Sequence, residues 1–262
     1  MDLFEAVTTR LATAERRDDP FPHVIVDRLL PIDTYQDLVA RWPEETLFRG
    51  DAASGKLDLV PAPGGITPAD ARAESYNRLD DDARTAWNRF VIQINREIVG
   101  PFLERMFQPE IATRLEFLQA VADTPGLAPY LRPPYRAKMN VGRFMMRSAG
   151  FRLRPHVDSL AYLATALYYF PTPADNPDMG GTTLYRAEGE IGAADILSRG
   201  KTVYFDAAGI ETTAVSTVPF IPNTLLAFAN TGRSAHGITI TARGWRRAFQ
   251  SHLSLKGDAD HL

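Results

Sequence analysis

The sequence GFRLRPHVDS, residues 150–159, places His156 and Asp158 two positions apart in a segment whose composition predicts an extended strand. Side chains two apart on a strand point to the same face, so this imidazole and this carboxylate can reach one metal ion together. The pair is incomplete as a metal site, and a third ligand has to come from elsewhere in the chain.

Two later stretches supply the remaining groups of such a site. His236 lies in FANTGRSAHGITI, residues 228–240, and GWRRAFQSHLSL, residues 244–255, carries Arg246 and Arg247 on what reads as a closing strand. Two imidazoles and one carboxylate leave coordination positions open, and this set suits non-haem Fe(II) and oxygen chemistry. An arginine nearby suits a carboxylate co-substrate, because its planar fork holds a carboxylate through two hydrogen bonds.

The composition is that of an ordinary globular chain and excludes several classes of function. With 262 residues, 45% of them hydrophobic and 23% charged, the chain fits one domain, residues 1–262, with an ample core. A net charge of −3 without a long basic block argues against nucleic acid and anionic membranes as partners. The absence of cysteine excludes disulfides and thiolate metal sites, so nitrogen and oxygen atoms must hold any metal.

The N-terminal half predicts helices. Residues 1–19 show apolar side chains at helical spacing and lack the continuous apolar core of a signal peptide, so we expect a cytoplasmic protein. Residues 48–75 are rich in Gly, Pro, Ala and Asp and show no clear period, which leaves an active-site lid and plain disorder equally open. Further predicted elements are a strand over residues 23–27 and helices over 31–43, 80–107 and 111–123.

From about Lys138 the sequence pattern changes to short runs rich in β-branched and aromatic residues, separated by Gly, Pro, Asn and Asp. Eight or so such segments predict a mostly β core with added helices: a double-stranded β-helix, or cupin-like jelly roll, over residues 138–255. The mainly helical residues 1–137 should pack on the outside of one sheet. A homodimer through edge strands or the N-terminal helices is compatible with the pattern but not required by it.

Four features in chain order resemble the Fe(II)- and 2-oxoglutarate-dependent oxygenases: the H-x-D triplet, GGTTLY at residues 180–185, a distal histidine, and an arginine about one strand later. The resemblance covers roughly residues 138–255, and the helical half is similar to the family only in general layout. It implies that His156, Asp158 and His236 are the catalytic iron ligands. It also implies that 2-oxoglutarate fills two of the open positions and that O2 takes the third.

The resemblance further implies where the far carboxylate of 2-oxoglutarate binds. Arg246 matches the family's last core strand better than Arg247, and only one of the two can face inward on a strand. Many members carry a serine two residues after that arginine, where this chain has Ala248, so another hydroxyl has to replace it. The candidates for this hydroxyl are Thr165, Tyr168 and Thr183.

Four more residues are candidates for binding. Asn140 on the first core strand is a candidate for contact with 2-oxoglutarate or substrate, against a purely structural role. Arg152 and Arg154 share strand parity with His156, so one of them can meet an acidic substrate at the mouth of the core, or both can be solvated surface residues. His252 shares parity with Arg246 and either lines the pocket or is a hydrogen-bonded core histidine.

We therefore predict a dioxygenase that hydroxylates an unactivated C–H bond of a small molecule, such as an amino acid, a peptide-like intermediate or another secondary metabolite, with release of succinate and CO2. Asp158 favours hydroxylation or another outcome of hydrogen abstraction, because related halogenases lack this carboxylate, and desaturation or ring formation would use the same residues. Three alternatives stay open: a protein side-chain hydroxylase on the same core, a cupin-type metal enzyme that does not need the arginine, and a non-catalytic jelly-roll binding module.

Overall fold

A computed structural model describes residues 2–63, 71–120, 136–159, 161–172, 175, 179–192, 195 and 202–256. The α- and π-helices within these ranges are α1 (Leu3–Ala12), α2 (Ile32–Ala40), α3 (Ala71–Tyr76), α4 (Asp81–Arg89), a π-helical segment (Phe90–Val99), α5 (Gly100–Met106) and α6 (Gln108–Ala120). Within the same ranges, two short 3-10 helices cover Glu45–Leu47 and Asp206–Ala208. None of the helices in the described part of the chain is long and apolar enough to cross a membrane.

Two helices begin at aspartates that cap them. Asp2 accepts the backbone N–H of Glu5 at 2.8 Å before α1, and Asp80 accepts that of Ala83 at 2.8 Å before α4. Each cap satisfies a backbone donor that the first turn of a helix leaves without a partner. The predicted helix over residues 80–107 is present as one continuous helical run. It consists of α4, the π-helical segment and α5, which follow one another without a break.

The strands are β1 (His23–Val26), β2 (Arg49–Asp51), β3 (Lys56–Leu59), β4 (Arg136–Met139), β5 (Arg143–Ser148), β6 (Arg152–Val157), β7 (Tyr162–Tyr169), β8 (Thr182–Ala187), β9 (Val203–Tyr204), β10 (Thr212–Val218), β11 (Thr224–Ala229), β12 (His236–Thr239) and β13 (Trp245–Lys256). They form a large sheet, β1-β11-β7-β13-β5-β3-β2 with β4 beside β13, and a small sheet, β10-β8-β12-β6-β9. Every recorded pairing is antiparallel.

Eight of these strands form a jelly roll. The large sheet contains β11-β7-β13-β5 and the small sheet contains β10-β8-β12-β6, so strands that follow one another in the chain repeatedly cross from one sheet to the other. This order is that of a double-sheet jelly roll, in which the two sheets face each other without closing into a barrel. The predicted fold class is therefore confirmed.

The helices pack on the outer face of the large sheet, as expected. Trp87 is completely buried, and its ring meets Phe144 of β5 at 4.6 Å and Phe249 of β13 at 6.4 Å between centroids. Phe90 meets Phe249 at 5.2 Å. A second apolar cluster fills the interior between the two sheets, with members that include Leu167, Leu184, Leu226, Phe228 and Ala248.

Part of the stretch over residues 48–75 is regular structure, contrary to the expectation. Strands β2 and β3 form a hairpin, and β3 extends the large sheet by pairing with β5. A buried ion pair between Asp58 and Arg147, 2.7 Å apart, fixes this hairpin to β5. The pairing of β3 with β5 is non-local, so the sequence around this hairpin carries no period that reveals it. Residues 64–70, which a lid would include, lie outside the described residues.

Candidate metal centre

The small sheet brings together the two histidines of the predicted triad. His156 near the end of β6 and His236 at the start of β12 are register partners, and their ring centroids lie 4.2 Å apart. Asp158 follows directly after β6. Antiparallel pairing of β6 with β12 is therefore what joins two segments that lie eighty residues apart in the chain.

The ligand atoms of the triad face one another. His156 Nε2 lies 3.6 Å from Asp158 Oδ1, and His236 Nε2 lies 3.7 Å from Asp158 Oδ2. Each Nδ1 lies 2.9 Å from a backbone carbonyl, that of Arg154 for His156 and that of Ser234 for His236. A carbonyl only accepts, so Nδ1 carries the proton and each Nε2 presents a lone pair. Two lone pairs turned towards a carboxylate repel one another unless a cation lies between them, and this donor set fits a divalent metal.

A tight turn before β12 holds His236 in place. Ser234 Oγ donates to the carbonyl of Thr231 at 2.7 Å and accepts the backbone N–H of Thr231 at 2.6 Å. The carbonyl of Ser234 is the group that accepts from His236 Nδ1. The short sequence Thr-Gly-Arg-Ser thus fixes both the position and the tautomer of the distal histidine.

The protonation states also suit a metal. Burial alone would raise the pKa of Asp158, but the surrounding imidazoles of His156, His236 and His252 outweigh it and hold the pKa of this carboxyl well below its usual range. Burial, followed by the proximity of His156, lowers the pKa of His236 to about 4. At neutral pH the carboxylate is ionised and His236 is neutral, the forms in which these side chains bind metals.

The strand order and the positions of the three candidate ligands both match what the sequence predicts. Two jelly-roll sheets hold a His-Asp-His cluster whose ligand atoms all lie within 4.8 Å of one another. The chain is a double-sheet jelly roll that carries a candidate metal centre on its smaller sheet. The resemblance inferred from the H-x-D, distal histidine and arginine pattern is confirmed for this fold and for the convergence of the three side chains.

Comparisons with known proteins are distant. No protein-family model matches the sequence, and no curated protein matches it. Among solved structures, similarity is found to a Pseudomonas putida prolyl-4-hydroxylase (16% identity over 96% of this chain and 98% of that chain, TM-score 0.40). A Trichoplax adhaerens prolyl hydroxylase bound to a hypoxia inducible factor peptide fragment gives 13% identity over 96% and 88%, TM-score 0.43. The epimerase SnoN from nogalamycin biosynthesis, in complex with Fe3+, alpha ketoglutarate and nogalamycin RO, gives 11% identity over 97% and 83%, TM-score 0.47.

Arg246 lies deep in the interior between the sheets. Its Nε donates to the carbonyl of Gly180 at 3.0 Å, and its Nη2 donates to the hydroxyl of Thr182 at 3.2 Å. The guanidinium carbon lies 4.8 Å from the ring centroid of Tyr169 and 5.0 Å from that of Phe220. No described residue places a carboxylate against it. A buried cation without a counter-charge is costly, so this site fits an anionic ligand.

Arg247 points to the other side of β13, as strand parity predicts. Its Nη1 pairs with the carboxylate of Asp175 and lies 3.3 Å from the hydroxyl of Thr172. Of the two arginines, Arg246 is therefore the one whose side chain is left without an acidic partner among the described residues.

The hydroxyls beside Arg246 belong to Thr182 and Tyr169, and the sequence prediction missed both. Tyr169 Oη donates to Thr182 Oγ1 at 2.7 Å, which joins them to the guanidinium. Thr182 shares strand parity with the buried Leu184, and this was the signal that could have identified it. One residue of offset on a strand moves a side chain to the opposite face.

The three hydroxyls that were predicted lie elsewhere. Tyr168 faces the helical layer, where its Oη donates to Asn95 Oδ1 at 2.9 Å, so it is not in position to hold 2-oxoglutarate. Thr183 is on the outer face of the small sheet, 3.0 Å from the hydroxyl of Thr217. Thr165 does face the metal centre, but it donates to Asp158 Oδ2 at 2.8 Å and so orients a metal ligand.

A bulge in β6 directs two arginines away from the interior. His156 pairs with His236, but the next recorded pair joins Leu153 to Ile238, so β6 has one extra residue in this interval. Leu153 consequently packs against the inner cluster. Arg154 forms an exposed ion pair with Asp206, and Arg152 is also exposed, so in this structure both occupy surface positions, the second of the two possibilities that the sequence left open.

Asn140 and His252 form a pair beside the triad. Asn140 Oδ1 accepts the backbone N–H groups of Gly142 and His252, each at 3.0 Å, so its Nδ2 is the group that lies 3.4 Å from His252 Nδ1. An amide nitrogen only donates, so His252 carries its proton on Nε2. This Nε2 is buried, has no hydrogen-bond partner in the described part of the chain, and lies 3.9 Å from Asp158 Oδ2.

Proposed function

We propose that this protein is an Fe(II)- and 2-oxoglutarate-dependent oxygenase that hydroxylates an unactivated C–H bond of a small molecule. One observation carries the proposal: the interior that holds the facing ligand atoms of His156, Asp158 and His236 also holds Arg246 as a buried cation without a described counter-charge. The first group fits a divalent metal and the second fits an anion, and both lie between the two sheets.

The spacing along β8 supports a short dicarboxylate as the ligand that joins them. Thr182, which contacts Arg246, lies two residues before Leu184, the register partner of His236. Two residues of a strand span about 7 Å. A dicarboxylate of the length of 2-oxoglutarate can therefore chelate a metal at the triad and reach Arg246 with its far carboxylate.

Each part of the interior has a distinct role in this proposal. When bound, iron with 2-oxoglutarate supplies the oxidising chemistry for C–H cleavage as the co-substrate becomes succinate and CO2. Arg246, Tyr169 and Thr182 orient the far carboxylate, and Thr165 holds Asp158 in its ligating direction. Phe228, whose ring centroid lies 4.4 Å from that of His236, shields the centre from water.

The buried guanidinium of Arg246 and the geometry of the triad favour this proposal over its alternatives. A cupin-type metal enzyme without a co-substrate has no need for a buried arginine that lacks an acidic partner among the described residues. A binding module has no need for two imidazoles with their lone pairs turned towards a carboxylate. The buried apolar side chains packed between the sheets beside the site favour a small substrate over a folded protein side chain.

The test is a screen of small molecules for succinate formation under heavy-isotope oxygen gas. The proposal expects succinate only when Fe(II), 2-oxoglutarate and oxygen are all present, with the heavy isotope in the hydroxylated product. The Asp158→Ala protein should be inactive because it loses a metal ligand. Succinate formed without Fe(II), or a product oxidised without the heavy isotope, would contradict the proposal.

A further inference from the structure

A group of hydrogen-bond donors lines the interior on two neighbouring strands beside the metal centre. Arg143 of β5 is the register partner of Gln250 on β13, and His252 lies two residues further along β13 on the same face. His252 is itself opposite Thr165, which donates to Asp158. The donors thus extend from the level of the metal ligands to a point about 7 Å along the sheet.

The hydrogen bonds between Arg143 and Gln250 leave donors free. Arg143 donates from Nε, at 2.9 Å, and from Nη2 to the same oxygen, Gln250 Oε1. This arrangement uses the only acceptor of the Gln250 amide and turns its NH2 group away from the guanidinium. No described hydrogen bond uses the Gln250 NH2 group or Arg143 Nη1, and no described carboxylate pairs with Arg143.

His252 adds an oriented donor to this group. Asn140 fixes the proton on Nε2, and the ring stacks on Tyr162 with centroids 3.8 Å apart and an interplanar angle of 9°. The Nε2–H is therefore held in one direction, buried, and without a partner among the described residues. A buried donor without an acceptor costs free energy, and a ligand that supplies an acceptor recovers it.

We propose that Arg143, Gln250 and His252 form a second carboxylate-binding subsite, which holds the free carboxylate of the primary substrate beside the metal centre. The proposal rests on the proposed oxygenase function and adds a substrate class: small carboxylic acids, hydroxylated at a carbon near the carboxylate. A planar guanidinium supported by two neutral donors matches the several acceptor sites of a carboxylate.

The exposure of the two arginines assigns the subsite to substrate rather than to 2-oxoglutarate. Arg246 is 3% exposed and closed in by Tyr169 and Phe220, as suits a co-substrate that is enclosed during the reaction. Arg143 is only half-buried, and it begins β5 at the end of the core where β6 finishes before Asp158. A molecule that enters from solvent meets Arg143 without displacing the co-substrate.

The test uses the protein loaded with Fe(II) and 2-oxoglutarate without oxygen. The probes are a panel of small carboxylic acids and the methyl ester of each, and the readout is the change that a bound probe causes in the visible charge-transfer band. We expect acids to change the band and their esters not to do so at equal concentration. Arg143→Gln should weaken acid binding roughly 10- to 100-fold, the value of a charge-assisted hydrogen bond, and leave 2-oxoglutarate affinity unchanged.

A second variant tests the role of His252, and a third serves as a control. His252→Phe keeps an aromatic ring against Tyr162 and removes the Nε2–H, so acid binding should weaken about tenfold. Arg186→Gln removes a cation of an exposed ion pair with Asp19 and should behave as wild type. The band itself reports that each variant is folded and loaded.

Three outcomes would overturn the subsite: esters that bind as tightly as acids, a wild-type band that no acid in the panel changes, or loss of 2-oxoglutarate binding in Arg143→Gln, which would assign the subsite to the co-substrate. Failure of the oxygenase proposal is distinguishable, because the wild-type protein would then form no band before any probe is added. Calorimetric titration of the acids into wild type and Arg143→Gln then decides the subsite separately, since equal binding or no binding would overturn it.

Discussion

Arg246 shows how much a single buried side chain constrains the function. Burial lowers its pKa, yet an arginine stays protonated at any pH at which the protein is folded. Its contacts are a carbonyl, a hydroxyl and two aromatic faces, none of which neutralises a full positive charge. Because no residue in the described part of the chain supplies a counter-charge, this cation fits an anionic ligand.

We expect Arg246→Met to lose 2-oxoglutarate binding while Fe(II) binding persists. A charge-assisted hydrogen bond contributes about 1.5 to 3 kcal/mol, so affinity for the co-substrate should fall roughly 10- to 100-fold. The adjacent Arg247→Met is the matched control, because Arg247 is already paired with Asp175 on the other face of β13. An anaerobic titration followed by the charge-transfer band measures both; equal losses in the two variants would contradict the assignment.

The sequence predicts the residues of the triad because their chemistry is unusual and their spacing is tied to strand geometry. His156 and Asp158 lie two residues apart, so they face the same side even though β6 contains a bulge before His156. The hydroxyls beside Arg246 were less predictable, since Tyr168 and Tyr169 differ only in the face they occupy. Nothing in a run of consecutive buried residues tells which face is the interior.

The helical layer stabilises the large sheet from its outer side. Trp87 is the centre of this contact, with aromatic neighbours on two strands and a hydrogen bond of 2.7 Å from its Nε1 to the carbonyl of Arg41. Asn95 joins the same layer to the core by accepting from Tyr168 and from Ser251, at 2.9 and 2.6 Å. The outer face of the sheet is thus held by both apolar and polar contacts.

We expect Trp87→Ala to lower the free energy of unfolding by about 3 to 5 kcal/mol, because it opens a large cavity in a completely buried site. Phe4→Ala is the control: Phe4 is 56% exposed, and its loss should change stability by less than about 0.5 kcal/mol. Urea unfolding measures both. A Trp87 variant as stable as the control would show that the helices contribute little to the sheet.

Elements formed by non-local pairing were the least predictable. The hairpin β2–β3 exists because β3 finds an edge on β5, and the sequence of residues 48–75 holds no sign of that partner. The bulge in β6 likewise follows from the way β6 meets β12, and it reverses the inward direction that strand parity with His156 permits for Arg154. Helices and the eight core strands were predictable because their periods and turn residues are local.

At the scale of the molecule, two facing sheets remove several histidines from water. Burial is the largest cause of the low pKa values of His236, about 4, and His252, about 3. Both imidazoles have an ordinary pKa of 6.5 in the unfolded chain. The folded protein therefore excludes protons that the unfolded chain takes up in acid, and folding becomes coupled to pH.

We expect the metal-free protein to lose stability as pH falls from about 6.5 towards about 4. In this window the unfolded state binds protons that the folded histidines do not, so the free energy of unfolding decreases, by about 3 kcal/mol for His236 alone. Asp158 acts only at lower pH, because its folded pKa lies below the ordinary value of 3.8. Urea unfolding at each pH measures this free energy, which should fall less steeply with decreasing pH in His252→Gln than in the wild-type protein. A free energy of unfolding that stays constant or rises on acidification would contradict this expectation.

The assignment of His156, Asp158 and His236 as metal ligands is tested by an anaerobic titration of the metal-free protein with Fe(II) and then with 2-oxoglutarate. We expect a weak visible charge-transfer band that requires both additions and disappears in His156→Ala. His23→Ala is the matched control, because His23 is equally buried but lies on β1 with its Nδ1 2.8 Å from the carbonyl of Phe21. A wild-type protein without the band, or a band that survives in His156→Ala, would contradict the assignment of the site.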